Sequence, residues 1–378
     1  MSTPAISHAG AHELDDLRSS VRALLATASD HEAVRAALDT EAGYDTALWN
    51  RLAQELGVHA LAIPEQSGGV GFGLTELGVA FGELGRAVVP GPYFSSIALA
   101  ANALLASGDV DAQDTHLPGI ASGETVATLA VIEDAGNWQT DGFSTSASPD
   151  GSNWSLTGRK LLVTDGADAD LLLVAAQTPA GPSLFAVTAD AAGLTRTALI
   201  TLDITRAVAT IEFDTTPATL IGADGSASGI LDDVLVRATT LLAGEQVGGA
   251  RACLELSVDY ARERVQFGRA IGSFQAIKHK CADMFAAIEV ADAAAREAAR
   301  ALDGFEDSPE PAVAAAVAHA VCSDAFMFVA AETIQVHGGI GFTWEHPAHL
   351  YFRRAKSSQL LFGGPAVYHE RVLTAHGI

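Results

Sequence analysis

Apolar residues recur at helical spacing through the first third of the chain: Leu14, Leu17, Val21 and Leu24 in one stretch, Leu48, Leu52 and Leu56 in another, Leu77, Phe81, Leu84 and Val88 in a third. Steps of three and four put each set on one face of an amphipathic helix. Ser67-Gly68-Gly69 and Pro90-Gly91-Pro92 separate the stretches, because glycine loosens the backbone and proline lacks the N–H that a helix needs. Between about Glu124 and Asp232 the pattern changes to short runs rich in Val, Ile, Leu and Thr: Leu161–Thr164, Leu171–Ala175, Leu184–Thr188 and Ala209–Phe213. Their spacing of roughly ten residues, punctuated by Gly, Asp, Asn and Pro, predicts an antiparallel barrel or sandwich.

The helical period returns after Asp233, with Val247, Ala250, Leu254, Val258, Ala261 and Val265 on one face of a long helix and Ile277, Cys281, Met284 and Ile288 on the next. Ser273 is placed to cap that second helix, which ends near Gly304, and Pro309 and Pro311 introduce a third that runs to Gly338. The expected fold class is therefore α+β: an N-terminal helical domain over 1–123, a middle antiparallel β domain over 124–232 and a C-terminal four-helix-type bundle over 233–378. A length of 378 residues suits two or three domains.

Composition adds a class and removes others. With 49% hydrophobic and 18% charged residues, extensive buried or subunit-facing surface and an oligomer are expected. The net charge of −24 repels nucleic acid and anionic membranes. An anionic ligand would dock on a local basic patch, and Arg262, Arg264, Arg269 and Lys278 supply one. Cys253, Cys281 and Cys322 lie far apart with no CxxC spacing and no histidine at metal-ligand distance, so buried free thiols and no metal site are expected. The N-terminal segment has neither a basic nor an apolar targeting region and no apolar run reaches the ~20 residues of a membrane span, which predicts a soluble, cytoplasmic protein.

Two segments carry chemistry. In Arg262–Arg269, followed by Ile271-Gly272-Ser273-Phe274, Arg264 and the Gln266 amide are suited to a pyrophosphate, with Phe267, Ile271 and Phe274 flanking an adenine. Read alone, the same residues make a core phenylalanine, a helix end and a solvated face. In Gln335-Val336-His337-Gly338-Gly339, paired glycines expose bare backbone amides beside a polar side chain, and an ordinary glycine cap is the alternative. The Gly68–Gly73 stretch lacks GxGxxG spacing and reads as a loop opening a helix.

In this order and after a β segment, these motifs resemble acyl-CoA dehydrogenases. The resemblance extends to the run Thr46–Gly69 and to Leu156–Asp170, and covers the chain from about Leu14 to its end. It implies FAD lying across the β domain of one subunit, its ADP half gripped by a neighbour's bundle, with Arg264, Gln266, Phe267, Gln335, Gly338 and Gly339 as this chain's share of the grip and Thr164 beside the flavin. It also implies an acyl-CoA substrate and an electron-transfer flavoprotein or similar acceptor.

The sequence departs from the family where catalysis resides. The reaction needs a carboxylate at the substrate α-carbon, yet the two positions where the family carries it fall on Phe362 and Ala238. Glu245 is the nearest carboxylate on that helix, about two turns, or roughly 10 Å, away. The flavin-side segment reads Val131–Trp138 without the usual Gly-Ser pair, and of the Trp-Ile-Thr segment only Thr164 is kept. An intact donated half and an eroded retained half resemble the base-less subunits of actinobacterial heterotetrameric (α2β2) dehydrogenases of steroid and cholesterol catabolism. A self-sufficient homo-oligomer and a flavin-free binding protein are the alternatives.

Overall fold

The computed structural model describes residues 8–151, 153–305 and 308–378. The first domain comprises α1 (Ala11–Ala28), α2 (His31–Leu38), α3 (Thr46–Gln54), α4 (Leu74–Arg86), a π-helical segment Phe94–Ala101 running into α5 (Asn102–Ser107), and α6 (Val110–Ser122). Aspartates start the short helices: Asp30 accepts from the backbone N–H of Glu32 and Ala33, and Asp45 from Ala47 and Leu48. Such caps satisfy N–H groups that have no partner inside the helix. The N-terminus of α4 is capped from afar, by Asp303, whose oxygens lie 2.7 and 2.8 Å from the N–H nitrogens of Leu74 and Thr75. Glu76 accepts from Ala9 and Gly73 at the same end. His8, Glu76 and Asp303 cluster closely enough to hold a metal ion, but these hydrogen bonds already engage both carboxylates.

Seven strands follow: β1 (Ala127–Ala130), β2 (Ser146–Asp150), β3 (Asn153–Thr164), β4 (Leu171–Thr178), β5 (Gly181–Thr188), β6 (Leu194–Ala198) and β7 (Val208–Ile221). The pairings β4–β2–β3–β7–β5–β4 return to their start and close a barrel, with β1 on β4 and β6 on β7. The sheet is not wholly antiparallel as the spacing predicted: β1 and β2 both run parallel to β4. Parallel neighbours need a long crossover, supplied here by residues 131–145 and then by β3, and nothing in the period of the strands reveals that.

That crossover is pinned by a buried ion pair. Lys160 on β3, fully buried, stands 2.7 Å from Glu133 and over the ring of Phe143. Glu133 also accepts from Ser144 N, Ser144 Oγ and Thr145 N. Burial alone would raise the Glu133 pKa, but Lys160, Ser144 and Thr145 together outweigh it and hold it at about 2. A carboxylate depressed in the fold stabilises it above the ordinary value near 4.5 and loses that stabilisation as pH falls toward about 2. Lys160→Ala leaves Glu133 without its counter-charge and is expected to cost about 3 kcal/mol or more. Urea unfolding at neutral pH checks it, and the deficit should shrink in acid.

The last domain begins with α7 (Ala227–Glu263), which starts earlier than the residue after Asp233 that periodicity suggested. Val265 leaves the helical face for a hairpin of β8 (Val265–Gln266) and β9 (Arg269–Ala270). Then come α8 (Gln275–Leu302), α9 (Pro311–His337), α10 (Ala348–Leu360) and α11 (Pro365–Ala375). Ser273 does not cap α8: its hydroxyl donates to Ala270 O at 2.7 Å, and Phe274 holds the cap position. Alanines form much of the seam between α7, α8 and α9, among them Ala243, Ala291, Ala298 and Ala318, and small side chains let the axes approach closely. The segment Pro311–Phe342 is long and apolar enough to cross a membrane by composition, yet α9 within it packs on α7, α8, α10 and α11 as the core of the bundle. Cys253 and Cys322 are buried and Cys281 is half-buried rather than buried; all three are free thiols. Across domains, α4 and α7 touch backbone to backbone: a Cβ on Gly248 would lie 1.7 Å from Gly82 O.

Candidate functional site

Thr164, the last residue of β3, is buried beside a narrow cleft where all three domains meet. The β6–β7 connection brings Arg206 and Thr205 there, α7 brings Glu245 and α10 brings Arg354. Arg206 Nη2 donates to Glu245 Oε1 at 2.5 Å, and Arg354 Nη1 donates to the same oxygen at 2.8 Å. Arg354 also reaches Asp203 Oδ2 at 3.1 Å and Thr205 O at 2.8 Å. Glu245 therefore lies nearer the cleft than its distance along the helix suggested, but its carboxylate is occupied. Burial pushes the Glu245 pKa up, and the two guanidiniums outweigh that and hold it below the ordinary range. A carboxylate bound twice in this way is a poor proton acceptor.

Two cations and two anions balance, and Asp165 is the fifth charge. Its backbone has φ +52° and its carboxyl accepts from Ser95 Oγ at 2.6 Å. Asp165 lines the cleft and is half-buried. Burial raises its pKa to about 6 against the opposing pull of Ser95, Arg206 and Arg354. A carboxyl whose pKa is raised in the fold costs stability as pH climbs from its unfolded value near 4 through about 6. Asp165→Asn keeps an acceptor for Ser95 without the charge. The variant is expected to melt higher than the parent at pH 7 and to match it near pH 4, as thermal scans across that range would show.

Phe362, aligned with the first catalytic position, is buried with φ +66° in the turn after α10. The turn is fixed by Tyr368, whose hydroxyl donates to Phe362 O at 3.2 Å, and by His319, whose Nε2 hydrogen-bonds Gly363 O at 3.0 Å. The Phe362 ring meets Trp138 edge-on at 5.2 Å and Phe94 at 6.0 Å. Trp138 arrives on the crossover that Lys160 and Glu133 pin. Ala238, aligned with the second position, is buried in α7. The cleft that Thr164 lines encloses about 20 Å³, against roughly 300–1,000 Å³ for sites that enclose a drug-sized molecule. A flavin ring system does not fit that space.

The other candidates lie elsewhere. Arg264 ends α7, exposed, and among the described residues forms no ion pair. Gln266 is exposed on the hairpin, and its amide meets only Val265 O. Phe267 at the hairpin tip is 92% exposed with φ +54°, its ring edge-on to half-buried Phe274 at 6.1 Å. Ile271 is half-buried below. Gln335, Gly338 and Gly339 are exposed at the end of α9, carried to this region by the stacking of Tyr260 on His337 at 4.5 Å. The structure thus brings both motifs to one end of the bundle and leaves Thr164 apart. Arg264 is nineteen positions beyond Glu245 on α7, about 28 Å at 1.5 Å per residue. Donors at that distance cannot close on this chain's own cleft. As a group they suit an adenine nucleotide: a free guanidinium, an amide, bare backbone and exposed aromatic surface.

A helical domain, a β barrel and a helical bundle in this order define a class of flavoprotein oxidoreductase. Residues 11–124 match the acyl-CoA dehydrogenase N-terminal domain and residues 233–376 the C-terminal domain. The chain is 37% identical over 355 residues to the acyl-CoA dehydrogenase IpdE2 of Mycobacterium tuberculosis, covering 92% of each. Among solved structures it is similar to a variant of the Tcur3481–Tcur3483 steroid ACAD (34% identity, TM-score 0.86, 97% of this chain and 98% of that one). It is also similar to the ChsE4–ChsE5 complex of M. tuberculosis (29% identity, TM-score 0.87, 98% of each chain). The chain belongs to the acyl-CoA dehydrogenase family, whose cofactor is FAD.

Sequence reasoning missed Arg206, Asp203, Arg354, Phe94 and Trp138. Charged residues outside a motif read as surface, and only the Arg353-Arg354 pair, next to Leu350 and Tyr351 on α10, hinted that one of the two turns inward.

Proposed function

We propose that this chain is the base-less subunit of a heteromeric acyl-CoA dehydrogenase and completes the FAD site of a partner chain that carries the glutamate. The observation that carries this reading is a separation: Arg264, Gln266 and Phe267 stand exposed at one end of α7, and some 28 Å away lies a narrow cleft lined by Arg206, Glu245, Arg354 and Phe94. Arg264 and Gln266 would hold the pyrophosphate, Phe267, Ile271 and Phe274 the adenine, and Gln335 with the Gly338-Gly339 backbone the remaining polar atoms. Bound there, FAD supplies the hydride acceptor for α,β-dehydrogenation of an acyl-CoA thioester. The relatives of known structure, named as a steroid ACAD and as a two-component complex, favour a steroid-derived acyl group and an α2β2 assembly, with an electron-transfer flavoprotein or similar acceptor taking the electrons.

Expression alone and with a glutamate-bearing acyl-CoA dehydrogenase chain tests the proposal. The chain alone should hold no flavin that an acyl-CoA can bleach, and the co-expressed pair should. Stoichiometric FAD, reduced by an acyl-CoA in the chain alone, would overturn it in favour of a self-sufficient homo-oligomer.

A further inference from the structure

On another face of α4 and α7, sharing no residue with the cleft, α1 and α8 wall in a groove of about 600 Å³. Its floor is nearly bare. The helices cross at Gly82 and Gly248, and Gly78 and Gly244 beside them add no side chain. Its rim is rich in arginine: Arg18, Arg22, Arg86, Arg251, Arg296 and Arg300 line it, with no lysine and three carboxylates, Asp15, Glu83 and Asp292, and each arginine has a carboxylate within ion-pair distance. Six of the chain's 22 basic residues thus gather in one groove of a molecule with net charge −24.

The guanidiniums are held in place. Glu83 grips Arg22 with both oxygens at 2.7 and 2.8 Å, and Asp292 serves both Arg251 (3.0 Å) and Arg296 (2.8 Å) with one charge. Asp15 pairs with Arg18, and Glu255, Glu289 and Glu297, which pair with Arg86, Arg251 and Arg300, stand outside the lining. Arg251 Nε is buried with no partner. Positioned forks over a flat, apolar floor suit a ligand with phosphates at one end and a planar ring at the other, and the volume falls within the usual range for small-molecule sites.

We propose that this groove binds a polyphosphate ligand of nucleotide size, independent of the FAD grip. Isothermal titration of the full chain, alone and in its FAD-saturated complex, with ADP, inorganic pyrophosphate and adenosine tests it. ADP and pyrophosphate should bind and weaken with added salt, and adenosine should not bind. Arg296→Ala, at an exposed position, should weaken ADP about tenfold without lowering the melting temperature, and Arg251→Ala should do the same. Arg264→Ala should leave ADP affinity unchanged. No heat with millimolar ADP, adenosine binding as well as ADP, or ADP affinity untouched by both groove variants would overturn the proposal. So would loss of ADP binding in Arg264→Ala, which would place the nucleotide on the FAD grip.

Discussion

Glu245→Ala is expected to lower the stability of the chain by about 3–5 kcal/mol, because it strands the buried Arg206 guanidinium and leaves buried Arg354 with Asp203 alone. Arg206 and Arg354 come from the barrel connection and from α10 while Glu245 belongs to α7, so the loss should appear as early loosening between barrel and bundle. Denaturant unfolding followed separately by Trp138 fluorescence and by far-ultraviolet circular dichroism would resolve the two. The milder Glu245→Gln is expected to leave turnover of the assembled enzyme, measured well below its melting point, within a few-fold of the parent. Removal of a true general base costs ~10²–10⁴ in rate. A fall of that size with the complex intact would make Glu245 the base and the ion pairs its resting state.

Arg264→Ala is expected to weaken FAD binding by the complex ten- to a hundred-fold while leaving its assembly and melting temperature without FAD unchanged. Hydrogen bonds to charged groups contribute about 1.5–3 kcal/mol, and an exposed arginine with no ion pair contributes little to folding. Lysine at 264 should restore only part of the affinity, since an ammonium cannot present the guanidinium fork. Fluorescence titration of the apo-complex with FAD reads both variants, and wild-type affinity in Arg264→Ala would remove that residue from the site.

What could be read in the sequence was what period and local chemistry encode. The helices α1, α4 and α8 follow from apolar steps of three and four, α9 from the prolines and glycine that bound it, and the runs within β3, β4, β5 and β7 from β-branched stretches between turn residues. That the two candidate motifs meet was not written in their spacing; they come together because Tyr260 near the end of α7 stacks on His337 at the end of α9. Nor were the parallel pairings on β4, since they depend on where a crossover lands. Nor was the sealing of the cleft: Asp203, Arg206, Glu245 and Arg354 are far apart in sequence, and each alone looks like a solvated charge. Phe362 could be recognised as a missing base, whereas its packing against Phe94 and Trp138 depends on the turn at positive φ that Tyr368 and His319 hold.

The count of flavin per chain in the purified complex tests the central claim most directly. If this chain gives its grip away and keeps a closed cleft, an equimolar complex saturated with FAD should contain one FAD for every two chains, measured by flavin absorbance after denaturation against quantified subunits. One FAD for every chain would mean that the cleft lined by Arg206, Glu245 and Arg354 opens to hold a flavin of its own, and would contradict the account.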